Sequence, residues 1–199
     1  MDLSIIIPCR NLEQHIGKCI ESIVRQQTDK YEVELIFALD NCHDQTRMKI
    51  EDCLCDPSTY RLEYEIIEGS WGSSGLARNE ALKKTTGKYI WFVDGDDWIN
   101  GSKAIIDILT TFKSYPQIEI LKFGFSSQGF FWDIDEVLGR YVYSRKAIGD
   151  TIFDSEMPGE AYKFVRDIRT KRLRQAVMNY RYYHFNFPRE GSVSSGKLI

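Results

Sequence analysis

Residues 92–100, FVDGDDWIN, put three carboxylates, Asp94, Asp96 and Asp97, into four positions directly after the apolar run YIWFV. Carboxylates this close repel unless a cation sits among them. Two further polar clusters follow apolar runs earlier in the chain: Pro8-Cys9-Arg10-Asn11 after LSIII, and Asp40-Asn41 after YEVELIFAL. A turn of acids can also serve only as a cap for the next helix, here the one expected from Ser102. What separates these readings is whether the three clusters meet.

The elements that carry them alternate. LSIII is a strand. In NLEQHIGKCIESIVRQQ, Leu12, Ile16, Cys19, Ile20, Ile23 and Val24 fall at helical spacing. YEVELIFAL is a second strand, and DNCHDQTRMKIEDCL starts with residues that cap helices. YRLEYEII is a third strand. The loop EGSWGSSG leads into the helix LARNEALKKTTG, stopped at Gly87. KYIWFV, the helix SKAIIDILTTFKSYP and the strand IEILKFGF complete five repeats of strand and helix. Such alternation means an α/β domain with a mostly parallel central sheet flanked by helices. The expected organisation is one domain, with residues 1–125 as its regular α/β half and 126–199 as a shorter, less regular part of the same domain. In that part EAYKFVRDIRTKRL places Ala161, Phe164, Val165 and Ile168 on one helical face, and NYRYYHFNF reads as a late strand. In open parallel sheets ligands bind beyond the carboxyl ends of the strands. All three polar clusters sit at such ends, so they should line one crevice.

Composition narrows the function. The chain has 199 residues, 43% hydrophobic and 13% aromatic, enough for a full core. A net charge of −3 argues against nucleic acid as a partner. No apolar run approaches the roughly 18 residues that span a bilayer, and the start MDLSIIIPCRN lacks the basic segment of a signal peptide. The expected location is therefore the cytoplasm. The basic run RDIRTKRLR offers peripheral contact at the inner membrane face, against the plainer reading of a solvated helix face. Five scattered cysteines, without zinc-site spacing, read as reduced and structural.

SIIIPCRNLEQHIGKCIESIVRQQ, LDNCHDQT and GLARNEALKKTTGKYIWFVDGDDW together resemble the GT-A-fold glycosyltransferases of family two, in order and spacing, over roughly the first 100 residues. The tail FPREGSVS is more loosely similar to the family's closing segment. The resemblance implies a single GT-A-like, Rossmann-like domain that moves a sugar from a nucleotide-sugar to a hydroxyl of a glycan or lipid-linked saccharide, with inversion. It implies a divalent cation, Mn2+ or Mg2+, which would neutralise charge on the departing diphosphate.

Residue by residue, the resemblance puts the metal contact on Asp96, with Asp94 toward the ribose or a metal-bound water, Gly95 between them, and Asp97 stabilising the loop. Asp40 matches the aspartate that accepts from the base, typically uracil N3–H, which points to a UDP-sugar; the family's preceding aspartate is Leu39 here. Pro8, Arg10 and Asn11 would complete the nucleotide pocket, Arg10 through stacking or a phosphate contact. Arg78 would reach the diphosphate, and a salt bridge to the acidic loop is compatible with that. In FDSEMPGEAYKF, Glu160 takes the place of the catalytic base, but the family's second acid falls on Ala161, with Glu156 and then Asp154 as substitutes. His184 is a candidate late metal ligand or a plain strand histidine. Two other enzyme classes fit less well: a pyrophosphorylase lacks its Gly-rich loop here, and a dehalogenase-type phosphatase carries its acids after the first strand. A weak nucleotide-sugar-binding protein is the alternative from another class.

Overall fold

The computed structural model describes residues 1–28, 30–55, 62–127, 137–154 and 160–186. Its centre is an eight-stranded sheet in the order β3-β2-β1-β4-β7-β6-β8-β5. Strands β1 (Leu3–Cys9), β2 (Val33–Asp40), β3 (Glu63–Gly69) and β4 (Tyr89–Phe92) run parallel. Every residue of β1, β2 and β4 is buried, as expected of strands covered on both faces. Strand β7 (Tyr141–Ser144) is inserted antiparallel between β4 and β6 (Ile120–Ser127). Strand β8 (Gln175–Phe185) runs parallel to β6, and the short β5 (Trp98–Ile99) pairs antiparallel with the end of β8. The expected mostly parallel core is therefore present, and the later third adds its strands to the same sheet.

Alternation along β1 splits the core. Leu3, Ile5 and Ile7 face helices α1 (Ile16–Val24), α2 (Thr46–Leu54) and α4 (Ala104–Ser114). Ile6 faces α3 (Ser74–Lys84), α5 (Arg145–Ile148) and α6 (Glu160–Thr170). On α6, Phe164, Val165 and Ile168 are buried, and the Phe164 ring stacks on Phe153 at 4.0 Å. Burial of each such side chain stabilises by roughly 1.5–3 kcal/mol. That packing fixes where the first residue of α6, Glu160, points. The first N–H of helix α4, that of Ala104, is accepted by Gln26 Oε1 at 3.0 Å.

Candidate active site

The carboxyl ends of β1 to β4 converge as expected. After β1, Asn11 adopts a left-handed backbone, φ 52°, and its Oδ1 accepts the His43 N–H at 2.9 Å, tying this loop to the one after β2. Pro8 is buried as part of β1 itself, while Arg10 stands exposed, its guanidinium 3.9 Å from Asp40. Asp40 ends β2 and is 3% exposed. Its Oδ1 accepts two backbone N–H groups, from Trp71 at 2.6 Å and Gly72 at 3.0 Å. Asp40 thus shapes the loop after β3, and Asp44, not Asp40, bonds the first N–H of α2, that of Thr46.

The acidic cluster is a closed turn in which the Asp97 N–H bonds the Asp94 carbonyl at 2.9 Å. Gly95 sits close-packed at its corner: a Cβ there would lie 2.8 Å from the Leu12 side chain and 3.2 Å from the Cys9 sulfur, so those side chains would have to shift. Asp94 and Asp96 are half-buried, whereas Asp97 is 1% exposed. Burial, and then repulsion from Asp96 and Asp94, pushes the Asp97 carboxyl well above its ordinary range, against the hydrogen bonds from Tyr183 and the Asn186 backbone.

Arg78 is the buried cation beside the acidic turn. It projects from α3 and is 4% exposed. One nitrogen bonds the Asp94 carboxylate, and another bonds Glu160 at 3.2 Å. Burial alone would favour the neutral form, but Asp94 and then Glu160 outweigh it and raise Arg78 above its ordinary pKa. Ser74 also donates to Glu160. Gly75 makes the approach possible, since a Cβ there would sit 2.7 Å from a Glu160 oxygen. Arg78 and Glu160, 82 positions apart, are brought together on the acidic turn. Asp154 is instead paired with Lys163, and Glu156 lies outside the described residues, as does the closing segment FPREGSVS.

Four residues that sequence reasoning passed over belong to this neighbourhood. Asn79 of the Ala-Arg-Asn stretch exchanges two hydrogen bonds of 2.8 Å with the backbone of Phe153. Trp71 packs over Gly69 beside Asp40. Ser74 stood within a Gly/Ser loop signal. Tyr183 bonds the acidic turn from 89 positions away, and nothing local marks it. His184, on the same strand, stacks on Trp98 at 3.8 Å with its Nδ1 2.9 Å from Ser126; burial and Lys18 lower its pKa. In the basic run, Lys171 turns inward to the carbonyls of Ala147 and Ile148 that end α5. The five cysteines are free thiols.

The donor set suits a hard divalent ion: carboxylate oxygens at the mouth of the crevice. Among the described residues no three acids, histidines or cysteines form a complete metal cage. Ions of the Mg2+ type are held by one or two carboxylates and take their other ligands from phosphates and water, and Asp96 and Asp94 are the residues here that could supply those carboxylates.

The sheet and its flanking helices have the GT-A fold, as the match to solved structures shows. The chain belongs to Glycosyl transferase family 2, whose profile matches residues 4–137. The "Uncharacterized glycosyltransferase EpsJ" of Bacillus subtilis is 34% identical over 126 residues, 63% of this chain and 34% of that protein. The poly(ribitol-phosphate) beta-N-acetylglucosaminyltransferase TarS of Staphylococcus aureus is 34% identical over 100 residues, 50% of this chain and 17% of that protein. The crystal structure of TarS 1-349 in complex with UDP-GlcNAc superimposes with a TM-score of 0.85 at 23% identity, over 100% of this chain and 62% of that one. The mannosyltransferase PcManGT of Pyrobaculum calidifontis, in complex with GDP-Man and Mn2+, gives 0.74 at 15% identity, over 95% of this chain and 58% of that one. The matched stretches span about a third or less of these curated relatives. No described helix is long and apolar enough to cross a membrane.

Proposed function

We propose that the chain is the donor-binding and catalytic unit of an inverting, metal-dependent glycosyltransferase. It moves a sugar from a UDP-sugar to a hydroxyl of a glycan or lipid-linked saccharide. The observation that carries this reading is Arg78, buried between Asp94 and Glu160, in a chain that belongs to Glycosyl transferase family 2. In this reading Asp96, with Asp94, holds Mn2+ or Mg2+, which when bound offsets the charge that develops on the diphosphate. Asp40, Arg10 and Asn11 bind the nucleoside, and the uridine nucleotides of the TarS structures support a UDP donor. Arg78 holds Asp94 and Glu160 apart in charge and orients both. Glu160 accepts the proton of the acceptor hydroxyl as it attacks the anomeric carbon from the face opposite the diphosphate. The hydrogen bonds from Ser74 and Arg78 place that carboxylate. Ala161, where the family resemblance implies a second acid, supports a second reading, a nucleotide-sugar-binding protein with little turnover.

Release of UDP from a panel of UDP-sugars, with and without Mn2+, tests the proposal. The expected result is turnover with at least one donor, lost on chelation. Calorimetry should show UDP binding that needs Mn2+ and that Asp96→Ala removes. Unchanged UDP affinity in Asp96→Ala would overturn the metal assignment, and binding without turnover of any donor selects the second reading.

A further inference from the structure

Asp97 differs from its two neighbours in the acidic turn. It is 1% exposed and faces inward, so it does not reach a ligand in the crevice. Both of its oxygens are used: Tyr183 donates to Oδ2, and the Asn186 N–H donates to Oδ1 at 2.8 Å. The Tyr183 hydroxyl in turn accepts the Asp94 N–H at 3.3 Å. A line of donors thus runs from the Asp94 backbone through Tyr183 to Asp97. The Asp97 N–H bond to the Asp94 carbonyl, 2.9 Å, closes it into a ring. That ring fixes the peptides around Asp94, and with them the directions in which the Asp94 and Asp96 side chains leave the turn.

The phenol has a built seat. Tyr183 is 1% exposed and lies so close to Gly139 that any Cβ there would overlap its ring. Gly139 is itself held, its carbonyl accepting the Trp91 indole N–H at 2.7 Å. A buried carboxylate is costly unless its hydrogen bonds are satisfied, so a fully bonded one behind an acidic turn needs a reason. Partners that orient metal ligands without touching the metal supply one, and their loss typically costs 10–100-fold in metal affinity.

We propose that Tyr183 and Asp97 are positioning residues for the divalent cation, holding the 94–97 turn in its ion-binding shape from behind. This rests on the reading that Asp96 contacts the ion, and the test separates the two. Mn2+ is titrated in the presence of saturating UDP, following free Mn2+ by electron paramagnetic resonance. Tyr183→Phe keeps the ring in its seat and removes one hydroxyl. Mn2+ affinity is expected to fall 10–100-fold, with the melting temperature near that of the wild type. Excess Mn2+ should restore UDP binding, which a folding defect would not allow. Asp97→Asn, whose amide would donate toward Tyr183 and compete with the Asp94 N–H, should show the same loss and serves if Tyr183→Phe misfolds. Wild-type Mn2+ affinity in the folded variants overturns the inference. If Asp96→Asn abolishes Mn2+ binding in that case, the metal assignment stands alone. If Asp96→Asn also binds Mn2+ normally, both fail.

Discussion

At the scale of single residues, several side chains hold structure and face the crevice at once. Asp40 anchors the Trp71 and Gly72 amides through Oδ1 while its Oδ2 lies nearest Arg10. If that carboxylate also accepts a uracil N3–H, UDP should outcompete CDP, which lacks the donor. The gap expected for leaving such a group unpaired is roughly 1–3 kcal/mol. Competition calorimetry checks it: Asp40→Ala should narrow the gap, and equal competition in the wild type would remove Asp40 from base recognition. Glu160→Gln should keep UDP and Mn2+ affinity and lose transfer by about 10²–10⁴-fold. Normal transfer by that variant, measured as initial rates, would move the base elsewhere. Arg78→Ala leaves Asp94 and Glu160 with no charge between them, and loss of one partner in a buried ion pair costs about 3–5 kcal/mol. Urea unfolding of that variant should show a clear drop in midpoint.

At the scale of elements, α3 does the positioning. Its first turn brings Ser74 and Gly75 against Glu160, and its next turn places Arg78. Asn79 then holds Phe153, and Phe153 stacks on Phe164 of α6, the helix that begins with Glu160. Glu160 is therefore fixed from both ends by one helix. Asn79→Ala removes both bonds and leaves the Phe153 N–H and carbonyl unpaired in a part-buried place, a loss of about 1–3 kcal/mol. Thermal melting should register the loss. A melting temperature equal to that of the wild type would mean that stacking alone holds the 151–154 segment.

At the scale of the whole molecule, the sheet has a functional pole and a structural one. At the structural pole Glu34 accepts from Ser4, from the Thr86 amide and hydroxyl, and from the Gly87 amide. Burial raises its pKa, but these hydrogen bonds outweigh that and leave it lowered. A carboxyl lowered in the folded state stabilises above its unfolded pKa, and that stabilisation is lost as pH falls through the folded value. The contribution of Glu34 should therefore be level near neutrality and fall below about pH 4. Glu34→Gln should be less stable at pH 7 and show a shallower acid loss. A melting profile with the same slope as the wild type would exclude Glu34 as a contributor.

The sequence by itself determined the alternation of elements, the converging strand ends and the family, because local periodicity and motif spacing are written in consecutive residues. Asp94, Gly95, Asp96 and Asp40 could be singled out as candidates for the same reason, each lying in a short motif at a strand end, and Arg78 through the Ala-Arg-Asn stretch of α3. Only the tertiary structure decided that β7 enters antiparallel beside β4, that β8 returns to β6, and that Tyr183 seats behind the acidic turn. Those pairings join residues tens of positions apart, and their hydrogen-bond partners leave no local trace. The same holds for the Arg78–Glu160 contact: the sequence supplied two charged residues, and the packing of α6 on the sheet made them neighbours.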